Sequence, residues 1–133
     1  MSIPTLISAD RGQVWQILAD VVHVLRAKSG AVYTNYFNED TDLHETIVLE
    51  GLIVAKRDAD NRYAPYHPTK AYGDGTDTAV GILDTRFFAT NSDPVIDPVT
   101  HGKVIEAHAL VYGSARGSIS DTIKEQLKGI HWV

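Results

Sequence analysis

Apolar residues at positions 14, 17, 18, 21, 24 and 25 recur at helical spacing, with Gln13, Gln16, Asp20 and His23 between them. The spacing predicts a helix over residues 10–28, with Asp10 as N-cap, Gln13 three residues on as in a capping box, and Gly30 to stop it. The valines of this stretch also suit a strand, because branching at Cβ restricts χ1 in a helix. Trp15 and the aliphatic stripe read as core or as a subunit contact. Residues 1–9 have no periodicity and include Pro4, which predicts an extended arm.

Beyond residue 30 the pattern turns to β. A short strand is expected over residues 31–36, ended by the polar run 38–42. Residues 46–55 are β-rich, and Gly51 in their middle predicts a bulge or break. Asp58-Ala59-Asp60-Asn61 is turn chemistry, since Asx side chains bond the local backbone and Asn tolerates positive φ. Residues 62–66 return as the hairpin partner, with Pro65 confining that strand to an edge. After a loop over 67–77, Ala79-Val80-Gly81-Ile82-Leu83 reads as a strand buried on both sides. Strict alternation puts Ala79, Gly81 and Leu83 on one face and Val80 and Ile82 on the other. Gly81 between large aliphatics predicts close approach of another backbone, or a bulge. Residues 86–89 are expected as the neighbour of that strand, 91–98 as an irregular Pro-punctuated connection, and 103–112 as containing a further strand. Ser118 is the expected cap of a short helix, with Asp121 in its first turn, Ile123 and Leu127 inward and Gly129 at C′. Residues 130–133 close the chain as a strand.

These elements divide the chain into an extended arm over 1–9, a helix with its connecting segment over 10–45, and a β-rich domain over 46–133. The expected class is mainly β with one or two helices. A length of 133 residues fits one domain, which buries roughly two-thirds of its unfolded surface. The apolar fraction of 44% and charged fraction of 22% are those of a globular chain. Twelve Lys and Arg against 17 Asp and Glu leave a net charge of −5, with no basic run, so direct nucleic-acid binding is not expected. The absence of cysteine excludes disulfides, thiolate metal sites and a Cys nucleophile. No stretch approaches the roughly 20 apolar residues that span a bilayer, and residues 1–5 lack the basic and apolar regions of a secretory signal. The expectation is a soluble protein used without export or membrane contact.

Candidate chemistry is sparse. The six histidines form no HExxH and no HxH, so no metal site is expected. Asp74-Gly75-Thr76-Asp77 lacks the ligand count and closing Glu of an EF-hand and reads as a turn. Gly73-x-Gly75 is not followed by the Lys-Ser/Thr of a phosphate loop. Ser114 and Ser118 lie near glycines without a GxSxG elbow. No catalytic residue and no cofactor is assigned. Any two of the 17 carboxylates could still meet as an acid–base pair, which keeps a small β-domain hydrolase or ligand-binding protein as the alternative.

The order of motifs in the latter two-thirds of the chain carries a resemblance. Gly51-Leu52-Ile53-Val54, a polar turn and Arg62-Tyr63-Ala64-Pro65-Tyr66 precede Gly73-Asp74-Gly75-Thr76-Asp77-Thr78-Ala79-Val80-Gly81-Ile82-Leu83. Gly102-Lys103-Val104, Leu110-Val111-Tyr112, a short helix within 118–129 and a terminal strand follow. This resembles the tailed-phage head decoration proteins, the family of the phage lambda capsid-stabilising protein. The resemblance covers roughly residues 46–133, and its strongest part is Asp74, Gly75, Thr76, Ala79, Val80, Gly81, Ile82 and Leu83. Residues 10–45 are longer and more patterned than the mostly extended arm of that family. The resemblance implies a β-tulip-like fold that forms a homotrimer at three-fold positions of the expanded capsid. It also implies that an arm, here Ile3, Pro4, Thr5, Leu6 and Ile7, adds to or lies along the major capsid protein on the outer surface of the virion. Another phage structural subunit is the remaining alternative.

Overall fold

The computed structural model describes residues 14–33, 47–67, 75–88, 94–111 and 114–133. These form a mainly β single domain with one short α-helix. The main sheet has six strands in the order β1 (Leu25–Arg26), β9 (Val99–Val104), β6 (Ala79–Ile82), β4 (Ile53–Lys56) and β5 (Tyr63–Pro65), with β10 (Ile130–Trp132) also pairing with β9. Two small sheets accompany it. In one, β2 (Gly30–Ala31) pairs with β8 (Val95–Ile96); in the other, β3 (Ile47–Val48) pairs with β7 (Phe87–Phe88). All pairs are antiparallel except β9–β10, which is parallel.

Local signals place the central hairpin. Gly51 at φ +91° separates β3 from β4, a left-handed geometry that a side chain would strain. The Asp58–Asn61 turn closes with Arg57 N–H donating to Arg62 O at 2.9 Å, and Asn61 takes φ +59°. Strand β5 is the outer strand beyond β4, where Pro65 removes no bond that a further strand would need.

Strand β4 divides two layers of core. Val54 packs on one face with Val32, Val48, Tyr63, Leu83 and Leu110. Its neighbours Ile53 and Ala55 face the other way, with Ile82, Val99, Val104 and Leu127. Burying each such aliphatic contributes about 1.5–3 kcal/mol. The α-helix, α1 (Asp121–Gln126), belongs to this second layer through Ile123 and the following Leu127. The Gln126 side chain also accepts the Ala79 N–H at 2.8 Å, which ties α1 to the first residue of β6.

Five expectations need correction. Residues 14–28 contain no helix; residues 10–13 lie outside the described residues. The segment runs instead along β9: Leu18 bridges to Val104, Ala19 N–H donates to Lys103 O at 2.8 Å, and Leu25 and Arg26 pair with His101 and Val99. Its backbone groups are therefore taken by a strand more than 70 positions away, an arrangement its valines favour. Because β1 and β2 join the sheets of the later chain, residues 14–33 belong to the β domain and are no separate unit. Strand β7 pairs with β3, not with β6. The alternation expected within 79–83 is broken by a bulge, since Ala55 opposes Ala79 and Val54 opposes Gly81. Val80 is the extra residue, so Ala79 shares a layer with Ile82. Finally, the N-cap of α1 is Ser120, whose hydroxyl accepts the Ile123 N–H at 3.3 Å, two residues past the expected Ser118.

Candidate functional site

Of the residues singled out by the resemblance, Ile3, Pro4, Thr5, Leu6, Ile7 and Asp74 lie outside the described residues. The others form part of the core and its approach. Gly75 takes φ +88° with Asp58 packed against it: a Cβ there would lie 2.6 Å from Asp58 Oδ1. Thr76 is buried, and its carbonyl accepts the His67 N–H at 2.9 Å. Ala79, Gly81, Ile82 and Leu83 are buried and Val80 half-buried. Gly81 permits the close approach expected of it, because a Cβ would stand 2.7 Å from Pro98 Cβ and 3.1 Å from Val99 O. The run thus serves packing.

The most elaborate polar constellation is centred on Glu50, a carboxylate that is 0% exposed. It sits at the turn between β3 and β4, directly before Gly51, and is held by partners distant in sequence. Arg86 grips both oxygens, Nε to Oε1 at 2.9 Å and Nη2 to Oε2 at 3.0 Å. The Trp15 backbone N–H donates to Oε2 at 2.6 Å. Arg116 Nη1 donates to the carbonyls of Glu50 and His108 at 2.8 and 2.7 Å, and its guanidinium lies 5.0 Å from the Trp15 ring. Trp15 meets His108 edge-on at 4.8 Å, and His108 Nδ1 lies 2.6 Å from Gln16 O. Burial pushes the Glu50 carboxyl up, but the hydrogen bonds from Arg86 and Trp15 outweigh it and hold the group below its ordinary value. A carboxylate so engaged stays charged and has both oxygens occupied, which suits an anchor better than a general base. The constellation straps residues 14–18 across the start of the sheet.

A second feature is an open hollow of about 310 Å³ beside β9 and β10, to which His23, His101, His131, Lys103 and Asp20 contribute. Among the described residues no group of three or more His, Asp or Glu is arranged to hold a metal ion, and no helix is long and apolar enough to cross a membrane.

Neither constellation was foreseen from sequence. The one available signal for Glu50 was a charge set inside the apolar run 46–55, where a buried charge needs a partner. Nothing pointed to Arg86, Arg116 or Trp15 as that partner. The three histidines come from a turn and two strands, with no shared motif. The chain matches no family model and no curated protein.

Proposed function

We propose that this chain is a non-enzymatic capsid decoration (cement) protein. It binds the outer surface of an expanded tailed-phage head as a homotrimer at three-fold positions and stabilises the shell against internal DNA pressure. The observation that carries this reading is the run Asp74-Gly75-Thr76-Asp77-Thr78-Ala79-Val80-Gly81-Ile82-Leu83, set between a hairpin and a later strand, helix and terminal strand. The order β4, turn, β5, β6, β9, α1, β10 along the chain supports it. So does the exposure of Val14, Val21, Val22 and Leu25 on the segment strapped by Glu50, apolar surface of the kind that subunit contacts cover.

In this reading residues 3–7 form the arm that adds to the major capsid protein. Strand addition draws its affinity from main-chain hydrogen bonds and needs no special side chain. A weak contact repeated three times gains by effective concentration. The anchored segment at Trp15 then gives the arm a fixed base. The β-tulip likeness belongs to the same proposal.

The test is binding of the purified chain to expanded, empty capsids and to unexpanded procapsids of the phage that encodes it. Decoration of the expanded shell alone, with three-fold density, is expected. Failure to bind either shell, or density as isolated monomers or two-fold pairs, overturns the reading.

A further inference from the structure

Ile17 and Val32 are buried, yet no residue between them is. The strand that this stretch crosses is built the other way, with Val99 and Val104 of β9 fully buried. Residues 19–27 therefore lie on the sheet without completing its core. Only Val24 and Ala27 among them pack against the two core layers, and both are half-buried. Val21, Val22 and Leu25 face solvent.

The backbone hold on these residues is thin. Ala19 N–H donates to Lys103 O and Ala27 N–H to Pro98 O, each at 2.8 Å. Between them Leu25 and Arg26 pair with His101 and Val99 across a shifted register. The intervening turn puts His23 at φ +59°, a region that a side chain disfavours, and gives the Val22 N–H to Asp20 Oδ1 within the stretch itself. Two ion pairs reach across. Asp20 and Lys103 meet at 3.6 Å where both are well exposed, so that pair contributes little. Arg26 is the firmer link, its Nη1 and Nη2 donating to Asp84 Oδ1 and Oδ2 at 2.8 and 2.7 Å, and Nη1 also to Asp97 O at 3.3 Å.

Both ends are fixed more deeply. Upstream, Trp15 N–H rests on buried Glu50, and Ile17 O accepts the Ile105 N–H at 2.8 Å. Downstream, Lys28 O accepts the Tyr63 hydroxyl at 2.8 Å, and Val32 N–H donates to Pro94 O at 2.9 Å.

We propose that residues 19–27 form a releasable strap, which lifts off β9 as a unit about Leu18 and Lys28, with Arg26–Asp84 as its clasp. When it leaves, β9 keeps β6 through Ile82 and keeps β10 along Ile130 to Trp132, so the core stays closed. What release uncovers is the edge of β9, including the carbonyls of Pro98 and Lys103. An unpaired sheet edge is a template for another strand, so the strap hides that edge when closed and offers it when open. This inference does not rest on the capsid reading and can fail or hold without it.

Amide hydrogen exchange of the full-length protein, followed by NMR where the chemical step limits the rate, tests the strap. Ala19 and Ala27 should exchange at least about a hundredfold faster than Ile53 and Leu83, whose N–H groups lie in the core at Leu110 O and Leu52 O. Asp84→Asn should speed Ala19 and Ala27 together by about fivefold, as loss of a partly exposed pair allows. Ile82→Val, which keeps the fold, should speed Ile53 and Leu83 by about tenfold and leave Ala19 and Ala27 unchanged, because Ile82 is packed whether the strap is on or off. Ala19 and Ala27 as protected as Ile53 would overturn the proposal. So would Ala27 responding to Asp84→Asn without Ala19, or Ile82→Val speeding all four amides equally.

Discussion

The backbone N–H of Trp15 donates to the carboxylate of Glu50 at 2.6 Å, joining positions 35 apart in the chain. The same carboxylate is clamped by Arg86, so one buried charge joins the front segment, the β3–β4 turn and the start of β7. Removing one partner of such a group leaves the others desolvated and unpaired, which costs more than the pair contributes when intact.

Glu50→Ala should therefore destabilise the protein by about 3 kcal/mol, read as a shifted midpoint in urea. Arg86→Ala should cost at least as much, because it leaves the Glu50 carboxylate, 1% exposed, as an unpaired buried charge, whereas Arg86 left behind by Glu50→Ala is 23% exposed and can reach water. If Glu50→Ala unfolds at the wild-type midpoint, the anchor role is wrong.

Acid sensitivity follows from the directions of the carboxyl shifts. Glu50 lies below its ordinary 4.5, with burial opposed and outweighed by Arg86 and Trp15, and Asp84 lies below its ordinary 3.8, chiefly through the side-chain hydrogen bonds of Arg26. A lowered folded value means stability that is present above the ordinary value and lost as pH falls through the lowered one. Asp84→Asn should thus be less stable than wild type near neutrality and should lose less stability on acidification below about pH 4. Parallel thermal melts across that range would check it; curves of equal slope would show that the Arg26–Asp84 pair contributes no linkage.

Ile82 is fully buried between β4 and β9, and Ile82→Ala should cost about 2–5 kcal/mol through lost burial and the cavity left behind. Gly81→Val places atoms where Pro98 and Val99 O already sit and should cost about 1–3 kcal/mol or more by overpacking. Both should reduce function only in proportion to the fraction unfolded. Abolished function with an unchanged melt would mean that this run does more than pack.

Asn61 holds φ +59° at the tip of the β4–β5 hairpin. Asn61→Gly should leave stability nearly unchanged, whereas Asn61→Val should lose about 1–2 kcal/mol, since a β-branched residue pays most for left-handed backbone. Equal midpoints for the two variants would contradict this.

Deleting residues 1–9 leaves Trp15, Glu50 and Arg86 in place, so the melting temperature should stay within about 5 °C of wild type. Capsid binding should fall sharply if residues 3–7 form the arm. Undiminished decoration by the truncated chain would rule that arm out.

What the sequence determined by itself was short in range. Gly51 as a break, Asp58 to Asn61 as a turn, Pro65 on an outer strand and Ile123 with Leu127 facing inward were all legible. Each rests on the conformational preference of a residue or on a period of a few residues. The fate of residues 14–28 was not legible, because their apolar spacing fits a helix while their valines fit a strand. Val104, Val99 and His101, more than 70 positions onward, settled that balance by taking up the backbone of Leu18, Leu25 and Arg26. The bulge at Val80 likewise depends on how β4 lies beside β6, and the partner of β7 on where β3 falls. Glu50 stands out in sequence only as a charge inside the apolar run 46–55; it became a buried anchor because folding brought Arg86 and the Trp15 N–H to it. Pairing between distant segments is the sum of many weak contacts that no short window contains, and only the folded chain adds them together.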